Sequence, residues 1–230
     1  MTAPEIFNPD FLRPLAHVSE PDPRNLAFIR VDPDTKNCRP IEIKDFHQEV
    51  STLQLNSTVP QKITSAFETA KNLYLYAWFV YRFHPVAEHQ ALACLELALR
   101  KQYECELQEE DPDGRKPTLS PLLRYAIKHG HITPGGFRRW HEAAQRRALR
   151  RYEMEKIDEM YAKELKQIDL DYSDVTMTDA DRNGEFLNFL ADSLPKLRNE
   201  YAHGTAMIHN QALMTLEIVS EIINQIYTSE

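Results

Sequence analysis

From residue 60 onward, apolar side chains return every three or four positions, a rhythm that only a helix turns into one continuous face. Ile63, Phe67, Ala70, Leu73/Tyr74, Ala77/Trp78 and Tyr81 form one such run, and Ala87, Ala91, Cys94/Leu95, Ala98/Leu99 and Tyr103 form a second. Ser57 or Thr58 can cap the first helix, with Pro60 in its opening turn, and Pro85 starts or kinks the second. Two long helices joined by so short a break are expected to lie antiparallel. Residues 111–117 (DPDGRKP) end that unit.

The same reading continues to the C-terminus. A short helix is expected over Ser120–Lys128, closed by Gly130, and a stop at Thr133–Gly136. A long polar helix follows from Phe137 to about Ile168, then a loop at 173–180. A helix beginning within 184–190 is expected to break or bend around Pro195, and Met207–Tyr227 reads as an amphipathic helix carrying Leu213, Leu216, Val219, Ile222/Ile223 and Ile226. All six glycines fall between these segments.

Upstream, seven of the fourteen prolines fall in the first forty residues, which favours extended or irregular chain. Ala27, Ile29 and Val31 alternate on one side of the turn-rich DPDTKN, and Ile41 and Ile43 could face them, so a β-hairpin is expected. The fold class is therefore mainly α: an up-and-down helical bundle with a small N-terminal β-hairpin. Residues 1–56 form the irregular and hairpin segment, and 57–230 the bundle, with 137–172 a long charged insertion.

Composition removes several function classes. With 42% hydrophobic and 27% charged residues the balance is that of a globular chain. A net charge of −8 argues against a surface that coats nucleic acid wholesale, while leaving room for a local basic groove. The apolar stretch Leu73–Phe83 is too short to span a bilayer and contains Arg82, so no membrane association is expected. Residues 1–14 lack a basic stretch followed by an apolar run, so no secretory signal is read and a cytoplasmic location is expected. Cys38, Cys94 and Cys105 are odd in number and lack CxxC spacing, which fits a reducing compartment.

The long polar segment has an unusual charge order. Residues 137–152 hold six arginines, Arg138, Arg139, Arg146, Arg147, Arg150 and Arg151, against Glu142 alone; residues 153–174 hold eight acids against three lysines. A helix dipole prefers the reverse order, so local helix physics did not choose it. With Phe137, Trp140 and Tyr152 interleaved, the arginines could line a strand-binding surface for RNA. Equally, they could form a solvated face matched to an acidic neighbour, as an antiparallel arrangement across a dimer would provide.

The residues best suited to chemistry lie in Leu194–Gly204, LPKLRNEYAHG. Arg198 offers a permanent planar cation for phosphate, His203 a proton shuttle near neutrality, and Asn199 both a donor and an acceptor. Metal-free cleavage of an RNA backbone needs that set: the imidazole moves the 2′-hydroxyl or leaving-group proton, and the guanidinium stabilises charge on the phosphorane-like transition state. The plainer alternative is a helix-end arginine and histidine capping carbonyls or pairing with Glu200 or Glu185. Glu96 could also be a structural partner of Arg198, and Tyr201 could pack or stack on a base. His129/His131, His84/His89 and His203/His209 lack metal-ligand spacing and are read as surface or helix-end residues. There is no Walker loop, no GxGxxG after a strand and no GxSxG, so no cofactor is expected.

Residues 198–203, RNEYAH, resemble the Arg-x4–6-His signature of the HEPN superfamily, including the polar residue directly after the arginine. Residues 87–100 resemble the second long helix of HEPN bundles, and 118–132 a connecting helix of some members. The resemblance spans roughly 60–230, with 137–181 as an insertion. It implies a homodimer whose two motifs line one cleft, metal-independent endoribonuclease activity, and Arg198, Asn199 and His203 as the active residues. The superfamily also holds members that only bind or assemble, so a non-catalytic interaction module, or a chain restrained by a regulatory protein partner, remains the alternative.

Overall fold

The computed structural model describes residues 7–32, 34–110, 116–182, 185–204 and 208–228. Its architecture is mainly α, with one small N-terminal hairpin. Strands β1 (Ile29–Val31) and β2 (Cys38–Pro40) pair antiparallel with Ile29 opposite Pro40 and Val31 opposite Cys38. Ile29 and Val31 face solvent, so the hairpin presents no apolar face to the core. Ile43 does not extend β2. It opens α1 (Ile43–Ser51), where Glu42 and Asp45 form a reciprocal capping box and Arg39 grips the buried Asp45 at 2.6 and 2.7 Å. That cap outweighs the apolar alternation of Ile41 and Ile43.

The bundle is built around α3 (Phe83–Glu110). Ala87, Leu92, Cys94, Leu95, Ala98 and Leu99 cover a broad arc of it and all are buried, as expected for a helix flanked by several neighbours. On one side lies α2 (Gln61–Tyr76): Cys94 Sγ donates to the Ile63 carbonyl and Gln90 Nε2 to that of Ala66. Numbers rise on one helix as they fall on the other, so the pair is antiparallel. The first-turn cap differs from expectation, because Thr58 turns its hydroxyl to the Tyr227 carbonyl and Pro60 takes the cap position without a side-chain bond.

Helix α4 (Leu119–Lys128) covers a second side of α3. Helix α5 (Arg138–Ala162) is shorter than the sequence suggests, and only Ala144 and Ala148 on it are buried. After the one-turn α6 (Asp179–Arg182), α7 (Phe186–His203) runs antiparallel to α3. Pro195 lies inside α7 without ending it, contrary to the expected break. Helix α8 (Ala212–Ile226) lies parallel to α3, with Thr215 beside Glu88 and Gln102 beside Ile226. It is buried over most of its circumference rather than on one stripe, so it closes the core and offers no free apolar face to a partner. The expected breaks at Gly114 and Gly184, most of 111–117 and the start of the last helix at Met207 lie outside the described residues.

The N-terminal segment is fastened to the corner between α2 and α3. Asp22, fully buried, accepts from Tyr81 N (3.0 Å), and its own N–H donates to the Trp78 carbonyl (2.9 Å). Asn25 Nδ2 reaches the carbonyls of Ala77 and Trp78, both at 2.9 Å. Phe46 and Val50 of α1 join the same apolar core as α2, α3 and α8. No helix among the described residues is long and apolar enough to cross a membrane.

Candidate functional site

Arg198 sits on the flank of α7 that faces α3, and its position is set by a carboxylate there. Its Nε donates to Glu96 Oε2 at 3.1 Å, and Nη1 lies 3.4 Å from Asn199 Oδ1. The Glu96 side chain is nearly buried, whereas that of Arg198 is 35% exposed, so one edge of the guanidinium remains open to solvent. Glu96 rather than Glu200 or Glu185 is thus the partner. It serves a second cation as well, since Arg100 Nη2 reaches Glu96 Oε1 at 2.6 Å while Arg100 Nε donates to the Pro117 carbonyl. Two cations share one carboxylate, which leaves this corner positive.

His203 is the last residue of α7 and is exposed, with no hydrogen bond or ion pair to another described residue. Gly204 follows at φ +85°, a conformation that ends the helix and suits glycine. Helix geometry puts Arg198 and His203 about 140° apart around the axis and ~7.5 Å along it. One chain therefore does not aim both groups at one point. Asn199, between them, is exposed.

Tyr201 turns inward instead of offering a stacking surface. Its hydroxyl donates to Glu88, which is 1% exposed, and lies 3.1 Å from His209 Nε2; Thr215 Oγ1 adds a bond to Glu88 at 3.3 Å. Burial raises the Glu88 carboxyl above its ordinary range, against the pull of those donors. His84, next to this knot on α3, is 1% exposed, and neither ring nitrogen finds a hydrogen-bond partner among the described residues. It is packed against Phe46, Tyr74 and Tyr81, and burial pushes its imidazole down to about 4. Of the two expectations for this histidine, helix-end or surface, the first holds and the second fails: His84 lies in the first turn of α3, which is packed beneath Phe46 of α1 and Tyr74 of α2 rather than turned to solvent.

The six arginines of α5 divide into three pairs. Arg138 and Arg139 both clasp the buried Glu217 of α8, and Arg138 also holds Glu142 at 2.6 Å. Arg151 binds Asp181 at 2.9 Å and Glu155 at 3.2 Å, and Arg147 Nε donates to the Asp181 carbonyl. Arg146 and Arg150 are exposed and bond to no other described residue. The aromatic partners proposed for them do not share their face. Phe137 is fully buried, Trp140 packs on the core, and the Tyr152 hydroxyl accepts from Asp171 N. The mixed aromatic and basic strand-binding surface is therefore not assembled along α5.

A basic trough lies elsewhere, at the α2–α3 seam. Lys62, Arg100, Lys101 and Lys116 surround a hollow of about 430 Å³ floored by Ile63 and Leu97, with Glu104 as its acid. Through Arg100 and Glu96 this trough is joined to Arg198. Its cations are spread over 54 positions of sequence, from Lys62 to Lys116, and no local spacing announces them. Comparison of the chain with family models, with curated proteins and with solved structures found no match in any of the three.

Proposed function

We propose that the chain is a metal-independent endoribonuclease of HEPN type, working as a homodimer that cleaves RNA to 2′,3′-cyclic phosphate and 5′-hydroxyl ends. The observation that carries this reading is an anchored, half-open guanidinium at Arg198, near an unencumbered His203 and linked through Glu96 to the basic trough. The trough holds the phosphate backbone by charge. Arg198 neutralises the phosphorane oxygens without moving, because Glu96 has already fixed it. His203 takes the 2′-hydroxyl proton or gives one to the departing 5′-oxygen, and the solvent-facing end of α7 lets a substrate reach it. The splay of the two side chains on one helix favours a composite site, in which two copies bring their motifs to a shared cleft. Asn199 positions a non-bridging oxygen. Defence or toxin action is the biological setting such an activity suits.

The decisive experiment incubates RNA with chelator and wild-type, His203→Ala or Arg198→Ala protein, and follows cyclic-phosphate ends. The imidazole variant should lose roughly 10²- to 10⁴-fold in rate while retaining its circular dichroism. Equal cleavage by wild type and variants removes the proposal. A Lys62→Glu/Lys101→Glu protein should weaken RNA binding and lower its salt dependence, because phosphate contacts are lost.

One observation favours a second reading, a non-catalytic interaction module. The Arg198–Glu96–Arg100 bridge ties α7 to α3 and would serve stability alone. Under that reading wild type never cleaves RNA, and Arg198→Ala lowers thermal stability.

A further inference from the structure

We propose that the outer face of α5 is a self-complementary seam that pairs antiparallel with α5 of a second copy of this chain. Ala143, Arg147, Arg150, Met154, Ile157 and Tyr161 are spaced alternately four and three residues apart. At 100° per residue they fall within about 80° of one another, the narrow stripe of a coiled-coil seam. This stripe is opposite in character to the inner side of the helix, where Ala144 and Ala148 are buried against the protein. Met154 is 53%, Ile157 39% and Tyr161 73% exposed, so the apolar half of the stripe is only partly covered by the described residues of its own chain.

The occupant follows from charge. The stripe begins among exposed arginines, of which Arg146 and Arg150 bond to no other described residue, and ends among acids, with Asp158 and Glu164 beside its apolar half. A surface basic at one end and acidic at the other is matched by itself when turned end for end, which is what a two-fold axis does. In the antiparallel register, Met154 meets the second copy's Ile157 at the centre. Arg150 meets the second copy's Tyr161, a cation over an aromatic face. The helix already carries the receiving hollow for that tyrosine: a space of about 490 Å³ lined by Ala143, Arg146, Arg147, Leu149 and Arg150, with Glu153 at its acidic edge. The same pairing gives a reason for the inverted order of charge along α5, which costs the isolated helix its favourable dipole interactions. RNA lying on the arginines would leave the apolar continuation through Met154, Ile157 and Tyr161 without a role.

This seam does not rest on the ribonuclease reading. Its test is the mass of the full chain in solution, by sedimentation equilibrium. The wild type should be dimeric in the micromolar range, and Met154→Asp or Ile157→Asp should raise the dimer Kd by about 100-fold or more with unchanged circular dichroism. Because Arg150 and Tyr161 are exposed, their variants keep the fold and report the register. Arg150→Glu should weaken the dimer about tenfold, and Arg150→Glu/Tyr161→Arg should recover most of that loss. A monomeric wild type, a dimer indifferent to Met154→Asp, or no recovery in the charge swap overturns the seam. So does a result in which Arg150→Glu abolishes RNA retention and leaves the mass unchanged. A failed seam leaves the cleavage assay of His203 and Arg198 unaffected, since that assay reads product ends.

Discussion

Helices α3 and α5 have similar lengths, 28 and 25 residues, and opposite surroundings. Around α3, alanine, leucine and cysteine are buried over a broad arc, and its buried carboxylates, Glu88 and Glu96, are answered by α7 and α8. On α5, Ala144 and Ala148 alone are fully buried, Trp140 packs partly on the core, and ion pairs to Glu217 and Asp181 help to hold the helix. The lesson is that helix length says little about contribution to stability. A helix packed over a broad arc carries the fold, and one packed on a strip can carry recognition, because its outer residues are free to be chosen for something other than the core.

The sharpest way to break this contrast is truncation at the centre of α3. Leu95 is fully buried, so Leu95→Ala should cost about 2–5 kcal/mol in urea unfolding. A loss below ~1 kcal/mol would mean that the central helix is not the keystone described.

The next largest effect is pH-dependent and belongs to the N-terminal end of the same helix. His84 is held neutral, with its imidazole lowered to about 4 from an ordinary 6.5. A lowered folded pKa means that the unfolded chain binds the proton first as pH drops. The stability contributed by neutral His84 is therefore complete above pH 6.5 and lost progressively between 6.5 and 4, by up to roughly 3 kcal/mol. Glu88 acts in the opposite sense, because its raised carboxyl takes up a proton more readily in the folded state. Asp45, lowered to about 2, loses its contribution only below pH 4. Urea midpoints measured across pH 4–7 should fall on the acid side, and His84→Phe should flatten that slope; an unchanged slope would place the acid sensitivity elsewhere.

At the root of α5 a smaller effect is expected. Glu217→Gln weakens the clasp on Arg138 and Arg139, two arginines largely in water, and should cost about 1 kcal/mol. Hydrogen exchange should show the loss concentrated in residues 138–148 and sparing α3. Smallest of all, Ile157→Ala at the far end should shift monomer stability by less than ~0.5 kcal/mol when measured at high dilution. A larger shift would show that the tip of α5 folds back onto its own chain.

Much of this contrast is legible in the sequence. The three- and four-residue spacing of Ile63 to Tyr74 and of Ala87 to Tyr103 locates α2 and α3, whereas Ala77, Trp78 and Tyr81, read as part of the same helix, lie past its end at Tyr76 and are buried in the corner instead. Alternation misleads at Ile41 and Ile43, where the Glu42–Asp45 cap and its Arg39 partner decide the matter through a contact between strand and helix. Pro195 misleads in the other direction, since packing on α3 and α4 keeps α7 helical through it. The motif residues Arg198, Asn199 and His203 are visible because they are close in sequence. Glu88, His84 and the cations of the trough are not, because helices far apart in the chain bring them together.

The fastening of Asp22 and Asn25 to the backbone of residues 77–81 has a practical consequence. The connection between α2 and α3 draws hydrogen bonds from upstream chain in addition to those of its own turn, such as Val80 N to the Tyr76 carbonyl and Phe83 N to the Val80 carbonyl. Anyone shortening the protein to its helices, on the view that a proline-rich leader is dispensable, would leave the Ala77 and Trp78 carbonyls and the Tyr81 N–H without those partners. The same trimming would take Phe46 and leave the His84 ring facing water. The irregular first fifth of the chain is thus a splint for the bend, and a protein shortened to begin at α2 should be insoluble or molten.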